Sequence, residues 1–119
     1  MLGNLIAVPF NYHGTLSANA VGNFTLPTPA TLVAISFGCT SATAATMIVG
    51  DAGDPNGIMT AAAIGQSSVP TLFAAADFDG ALCDQIAGYH FPAGDLILHF
   101  TITHASAENV SVVFYFREG

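Results

Sequence analysis

Four histidines, two cysteines and eight carboxylates stand against a single cation, Arg117, and these residues set what chemistry the chain can do. Metal ligation by histidine needs rings brought to one side of an element, as in an HExxH helix or a ring beside clustered acids. His13, His90, His99 and His104 show neither pattern. His99 and His104 are five residues apart in an alternating run, and on a regular strand an odd separation sends two side chains to opposite faces. Isolated polar residues on strands is therefore the preferred reading, and no metal-ligating residue is assigned. The segment Asp51-Ala52-Gly53-Asp54-Pro55-Asn56-Gly57 offers carboxylates that a hard cation would favour. An EF-hand closes with Glu at its twelfth position, however, and here that residue is Ala62. Asp-Pro and Asn-Gly are turn formers, so this segment is expected to join two strands, with calcium binding as the alternative.

Covalent catalysis finds no better footing. The Gly-x-Ser-x-Gly elbow is absent, and so is a glycine-rich loop leading to Lys and Ser or Thr. Cys83 sits between Leu82 and Asp84, whereas a reactive thiol needs an electropositive setting that a chain with one cation hardly provides. Cys39 and Cys83 are expected to be buried free thiols, with one disulfide between them as the alternative. The chain is therefore expected not to be an enzyme, with no catalytic or cofactor-binding residues and no cofactor.

Charge narrows the partners. The formal net charge is -7, and no basic patch exists to neutralise nucleic acid or an anionic membrane. Only 8% of residues are charged, against about 25% in an ordinary soluble domain. The surface must then be neutral, built from Ala, Ser, Thr, Gly and Asn on a chain that is 52% hydrophobic. Such a surface offers little repulsion between copies, so an oligomer or lattice component is expected over a monomer rich in small residues. Residues 1–10 contain no Lys or Arg and are broken by Asn4 and Pro9, which is unlike a signal peptide. No apolar run reaches the roughly 18 residues of a membrane-spanning helix, and a soluble protein made in the cytoplasm is expected.

The elements that must carry these residues read as strands. Residues 31–39 alternate Val33, Ile35, Phe37 and Cys39 with Ala34, Ser36 and Gly38. Residues 95–104 place Leu96, Leu98, Phe100 and Ile102 opposite Ile97, His99, Thr101 and Thr103. Residues 109–117 do the same with Val110, Val112, Phe114 and Phe116, and the short connection predicts that these last two strands pair as a hairpin. Weaker strand patterns cover residues 5–10, 23–26, 44–49, 58–62 and 85–91. Gly65 and Pro70 interrupt the alanine-rich residues 61–76, leaving at most one helical turn, near residues 79–84. About eight short strands between turns predict an all-β, two-sheet antiparallel sandwich of jelly-roll or another Greek-key type. Residues 1–119 form one domain on this reading, with residues 1–10 either an N-terminal arm or the first strand.

The succession Ile48-Val49-Gly50-Asp51, Asp54-Pro55-Asn56-Gly57-Ile58, Ala63-Ile64-Gly65, Phe91-Pro92-Ala93-Gly94-Asp95 and Ala107-Glu108-Asn109-Val110-Ser111-Val112-Val113 resembles small β-sandwich head decoration, or cement, proteins of tailed bacteriophages. The resemblance spans residues 31–119. It implies a structural virion protein on the capsid exterior, with the major capsid protein as partner, that reinforces joints between capsid subunits. It also implies a homo-oligomer, usually a trimer. Without basic residues, docking would have to use apolar and hydrogen-bonded contacts or basic groups of the partner. Assembly contacts are expected at Leu2, Leu5 and Ile6 near the N-terminus and at Tyr115 on the outward side of the last strand. The alternative is a carbohydrate- or receptor-binding sandwich from a phage tail or fibre, with Tyr115 displayed and Tyr12 and Tyr89 in loops or at strand edges. The absence of tryptophan weakens it.

Overall fold

The computed structural model describes residues 5–40, 45–51, 53–63, 69–83, 88–92, 97–103 and 107–118. Among the described residues nine strands follow one another: β1 (Leu5–Thr15), β2 (Ala20–Thr25), β3 (Ala30–Gly38), β4 (Thr46–Asp51), β5 (Met59–Ala63), β6 (Thr71–Ala74), β7 (Tyr89–Phe91), β8 (Ile97–Ile102) and β9 (Glu108–Glu118). One 3-10 turn, Ala75–Asp77, follows β6. The strands form two antiparallel sheets, β1-β9-β3-β6 with the short β7 also on β3, and β2-β8-β4-β5.

Pairing is nested. β1 pairs with β9, β2 with β8, β3 with both β6 and β7, and β4 with β5, as though one long hairpin had been folded and then wrapped on itself. Wrapping adds the β3–β9 and β4–β8 ladders that close each sheet. Together with the sheet order, this is the jelly roll, one of the two topologies that the strand count allows.

The expected hairpin between the last two strands does not form. β8 joins β2 and β4 in one sheet, and β9 joins β1 and β3 in the other. The physical reason is that both strands have a continuous apolar face, Leu98-Phe100-Ile102 and Val110-Val112-Phe114-Phe116, all buried. Lying in facing sheets lets those two faces bury each other, and Phe100 meets Phe114 across the core at 5.3 Å between ring centroids. Phe10 closes the cluster, 4.8 Å from Phe100 and 5.9 Å from Phe114.

A second difference lies in β3. Alternation placed Val33 with Ile35 and Phe37, yet Leu32 is fully buried and Val33 is only half-buried. The ladder to β9 shifts register between Leu32 and Ala34, and such a bulge inserts one residue and reverses the phase of everything before it. Ala30 and Leu32 therefore share the core with Ile35, Phe37 and Cys39.

The helical turn falls at Ala75–Asp77, just before the expected position, and β6 is a strand within the alanine-rich stretch. β1 continues five residues beyond the expected end and includes residues 5–10, so those residues form an edge strand of the sandwich. Cys39 is buried as expected, whereas Cys83 is only half-buried. Leu96 and His104 lie outside the described residues.

Candidate assembly surface

Register and burial together define the outer face of the β1-β9-β3-β6 sheet. Cross-strand partners form rows: Leu5, Arg117, Thr31 and His90; then Ala7, Tyr115, Ala34 and Ala74; then Pro9, Val113, Ser36 and Leu72; then Asn11, Ser111 and Gly38. The rows between them, such as Val8, Phe114, Ile35 and Phe73, turn inward. Side-chain alternation thus sorts the small and neutral residues to one surface and the phenylalanines to the core.

This face is apolar and nearly uncharged. Leu5 is 74% exposed at one edge and Leu72 is 64% exposed at the other. No carboxylate stands in its four rows, and Arg117 is its single full charge. Tyr115 lies near the middle, half-buried between Ala7 and Ala34. Polar contacts finish the two ends. At one end Thr31 Oγ1 and His90 Nδ1 are 3.1 Å apart. At the other, Ser111 Oγ donates to Asn11 Oδ1 at 2.9 Å, and Asn109 Oδ1 accepts the Gly14 N–H at 2.9 Å while its Nδ2 donates to Thr40 Oγ1 at 3.1 Å. Asn109 holds a positive φ of 49°, a conformation asparagine tolerates better than most residues. A shallow groove of about 260 Å³ opens here, with Ser36, Gly38, Pro70 and Ser111 among its walls.

The residues expected at assembly contacts divide. Leu5 and Tyr115 share this outer face, whereas Ile6 turns the other way and packs against the core. Leu2 lies outside the described residues. Leu72, Val113 and Pro9 complete the patch and were not singled out from the sequence, because Leu72 belongs to a strand that the alanine-rich composition hides.

The acidic segment is a turn. Asp51 ends β4 with its side chain directed inward and only 5% of the residue exposed. Its Oδ1 accepts the N–H groups of Gly53 at 3.0 Å and Asp54 at 2.9 Å, which folds the chain back toward β5. Oδ2 accepts the hydroxyl of Tyr89, in β7 of the other sheet, at 2.6 Å. Gly50 is required at this corner, since a Cβ there would collide with the backbone carbonyl oxygen of Asp54. The Asp51 carboxylate thus fastens a turn to the facing sheet.

Of the other polar residues, His90 and His99 lie on different sheets, and no group of three or more His, Cys, Asp or Glu side chains converges among the described residues. Cys83 Sγ donates to the Ile58 carbonyl at 3.6 Å. Tyr12 packs against the core, where loss of water raises its phenol above the ordinary value. Tyr12 and Tyr89 are therefore committed inward, which leaves Tyr115 as the tyrosine on an outer face.

Fold and surface together define a jelly-roll sandwich with one broad neutral sheet face. No family model and no curated protein matches the sequence. Among solved structures, the fold is similar to a chain of the cyanophage Pam1 capsid asymmetric unit, with a TM-score of 0.56 and 16% identity over 99% of this chain and 87% of that one. A chain of the Aeromonas sobria serine protease and chaperone complex gives 0.47 at 8% identity, over 99% of this chain and 28% of that one. The Yersinia pseudotuberculosis-derived mitogen gives 0.40 at 14% identity, over 98% and 87%. At these identities the likeness is one of fold. No helix among the described residues is long and apolar enough to cross a membrane.

Proposed function

We propose that this chain is a structural protein of a phage virion that binds the capsid exterior and reinforces contacts between major capsid proteins, without catalysis. The observation that carries this reading is the neutral outer face of the β1-β9-β3-β6 sheet, where Leu5, Tyr115, Val113 and Leu72 stand among small residues with no carboxylate. A surface of this kind suits lasting contact with a folded partner, since neither side must desolvate charge. The fold shared with a chain of a cyanophage capsid asymmetric unit supports the same reading.

Size argues for several contacts per subunit. Four strands about 4.8 Å apart and four rows about 6.8 Å apart give a footprint of roughly 500 Å², against about 800 Å² per partner in a typical stable complex. One face is too small by itself. A homo-oligomer, a trimer by the family resemblance, would repeat the contact and gain affinity through multivalency.

The test is light scattering on the purified protein, followed by mixing with undecorated capsids of the phage that encodes it and heating. Stoichiometric uptake with a raised disruption temperature is expected, because a ligand that binds only the intact shell stabilises it. A monomer that leaves the capsids bare at micromolar concentration would overturn the proposal.

A further inference from the structure

The edges of the two sheets differ in how they are guarded. β1 carries Pro9 in its middle, which has no N–H to give an added strand. At the β5 and β6 edges a single segment acts as a cover. Asp77 Oδ2 accepts the Ala74 N–H at 2.9 Å at the end of β6. Asp79 holds Thr60 of β5 through its N–H at 2.9 Å and its hydroxyl at 2.8 Å. Phe78, between those two acids, is fully buried. Gly80 and Leu82 then donate their N–H groups to the carbonyls of Ile58 and Gly57, each at 2.9 Å.

β2 is the strand at the opposite end of its sheet from β5. Its sequence, Ala-Val-Gly-Asn-Phe-Thr, contains neither proline nor charge. Among the described residues, its hydrogen-bonded partner strand is β8 alone. Backbone groups alternate in direction along an antiparallel strand, so half of those on β2 point away from β8. Val21, beside that open edge, is 69% exposed.

The geometry points to the free edge of β2 as the docking site for an extended, uncharged segment of the major capsid protein, which adds a fifth strand to the β2-β8-β4-β5 sheet. The inference rests on the capsid reading and names where that partner sits. Main-chain hydrogen bonds supply directional affinity without ion pairs, which suits a chain with one cation. They also add contact area that the outer face lacks. A second copy fits this edge less well. β1 and β2 lie on the same side of the sandwich, as the contacts of Phe10 with Phe100 and Phe24 with Phe116 show. A whole sandwich approaching β2 would also press against the Pro9-interrupted β1 edge. A lone extended segment meets β2 only.

Hydrogen exchange of the full-length protein, alone and sedimented with undecorated capsids, tests the assignment. The β2 amides facing away from β8 should slow by about tenfold or more on capsids. Val21→Lys, a charge on an exposed edge, should lower capsid uptake by about tenfold while the melting temperature stays unchanged. Unchanged β2 exchange in protein that has sedimented with capsids would overturn the edge assignment and leave capsid binding standing. Failure of the wild-type protein to sediment would overturn the capsid reading and this inference with it. Protection of β2 that rises with protein concentration in the absence of capsids would give the edge to a second copy, and so would also overturn the assignment.

Discussion

The Tyr89 hydroxyl donates to Asp51 Oδ2 at 2.6 Å, and this bond ties β7 of one sheet to the end of β4 in the other. Asp51 Oδ1 meanwhile shapes the turn into β5, so one buried carboxylate serves both the local turn and the packing of the layers. Replacing Tyr89 by Phe keeps the ring that packs edge-on against Phe91 and removes only the donor. The expected loss is about 1–3 kcal/mol, the usual cost of withdrawing one partner from a buried acceptor. Urea denaturation reads it as a lower midpoint with unchanged slope, and an unchanged midpoint would show that the bond contributes nothing.

Gly22 faces Phe100 across the core side of β2, where a Cβ would run into the ring. Gly22→Ala should therefore cost about 1–3 kcal/mol through overpacking. Combining it with Phe100→Leu should cost less than the sum of the two single changes, because the smaller side chain relieves the clash. Additive effects in a double-mutant cycle would refute the contact.

Asp79 has its carboxyl held below the ordinary value, first by the Thr60 N–H and then by the Thr60 hydroxyl. A carboxylate with a lowered folded-state pKa adds stability that is fully present above its unfolded value and is lost as pH falls through the folded value. Stability should accordingly decline below about pH 4, the unfolded aspartate range, and Asp79→Asn should flatten that decline. Denaturation midpoints measured from pH 6 to pH 2 on both proteins supply the comparison. Parallel curves would show that Asp79 does not guard the β5 edge.

The outer sheet face makes its own prediction. Leu72→Glu and Leu5→Glu place charge on exposed positions, so each should change stability by less than about 0.5 kcal/mol. Both residues stand at the rim of the face, so capsid uptake should nevertheless fall for each, by less than the roughly tenfold loss expected of a residue near the centre of a docking patch. Wild-type uptake by both variants would move the contact to another surface.

Alternation along the chain carried much of this fold by itself. Val110, Val112, Phe114 and Phe116 alternate in sequence and all are buried, and Leu98, Phe100 and Ile102 behave alike. The Asp51 to Gly57 turn was legible too, because Asp-Pro and Asn-Gly act on the backbone within a few residues. What alternation encodes is which side of a strand faces inward, and it is silent on which strand lies alongside. That β8 faces β9 across the core, that a bulge rotates Leu32 inward and Val33 out, and that Tyr89 reaches Asp51 38 residues away were settled only when two complete apolar faces closed on each other. The outer face shares this origin. Its residues are individually unremarkable, and only the register of four strands collects them into one neutral patch.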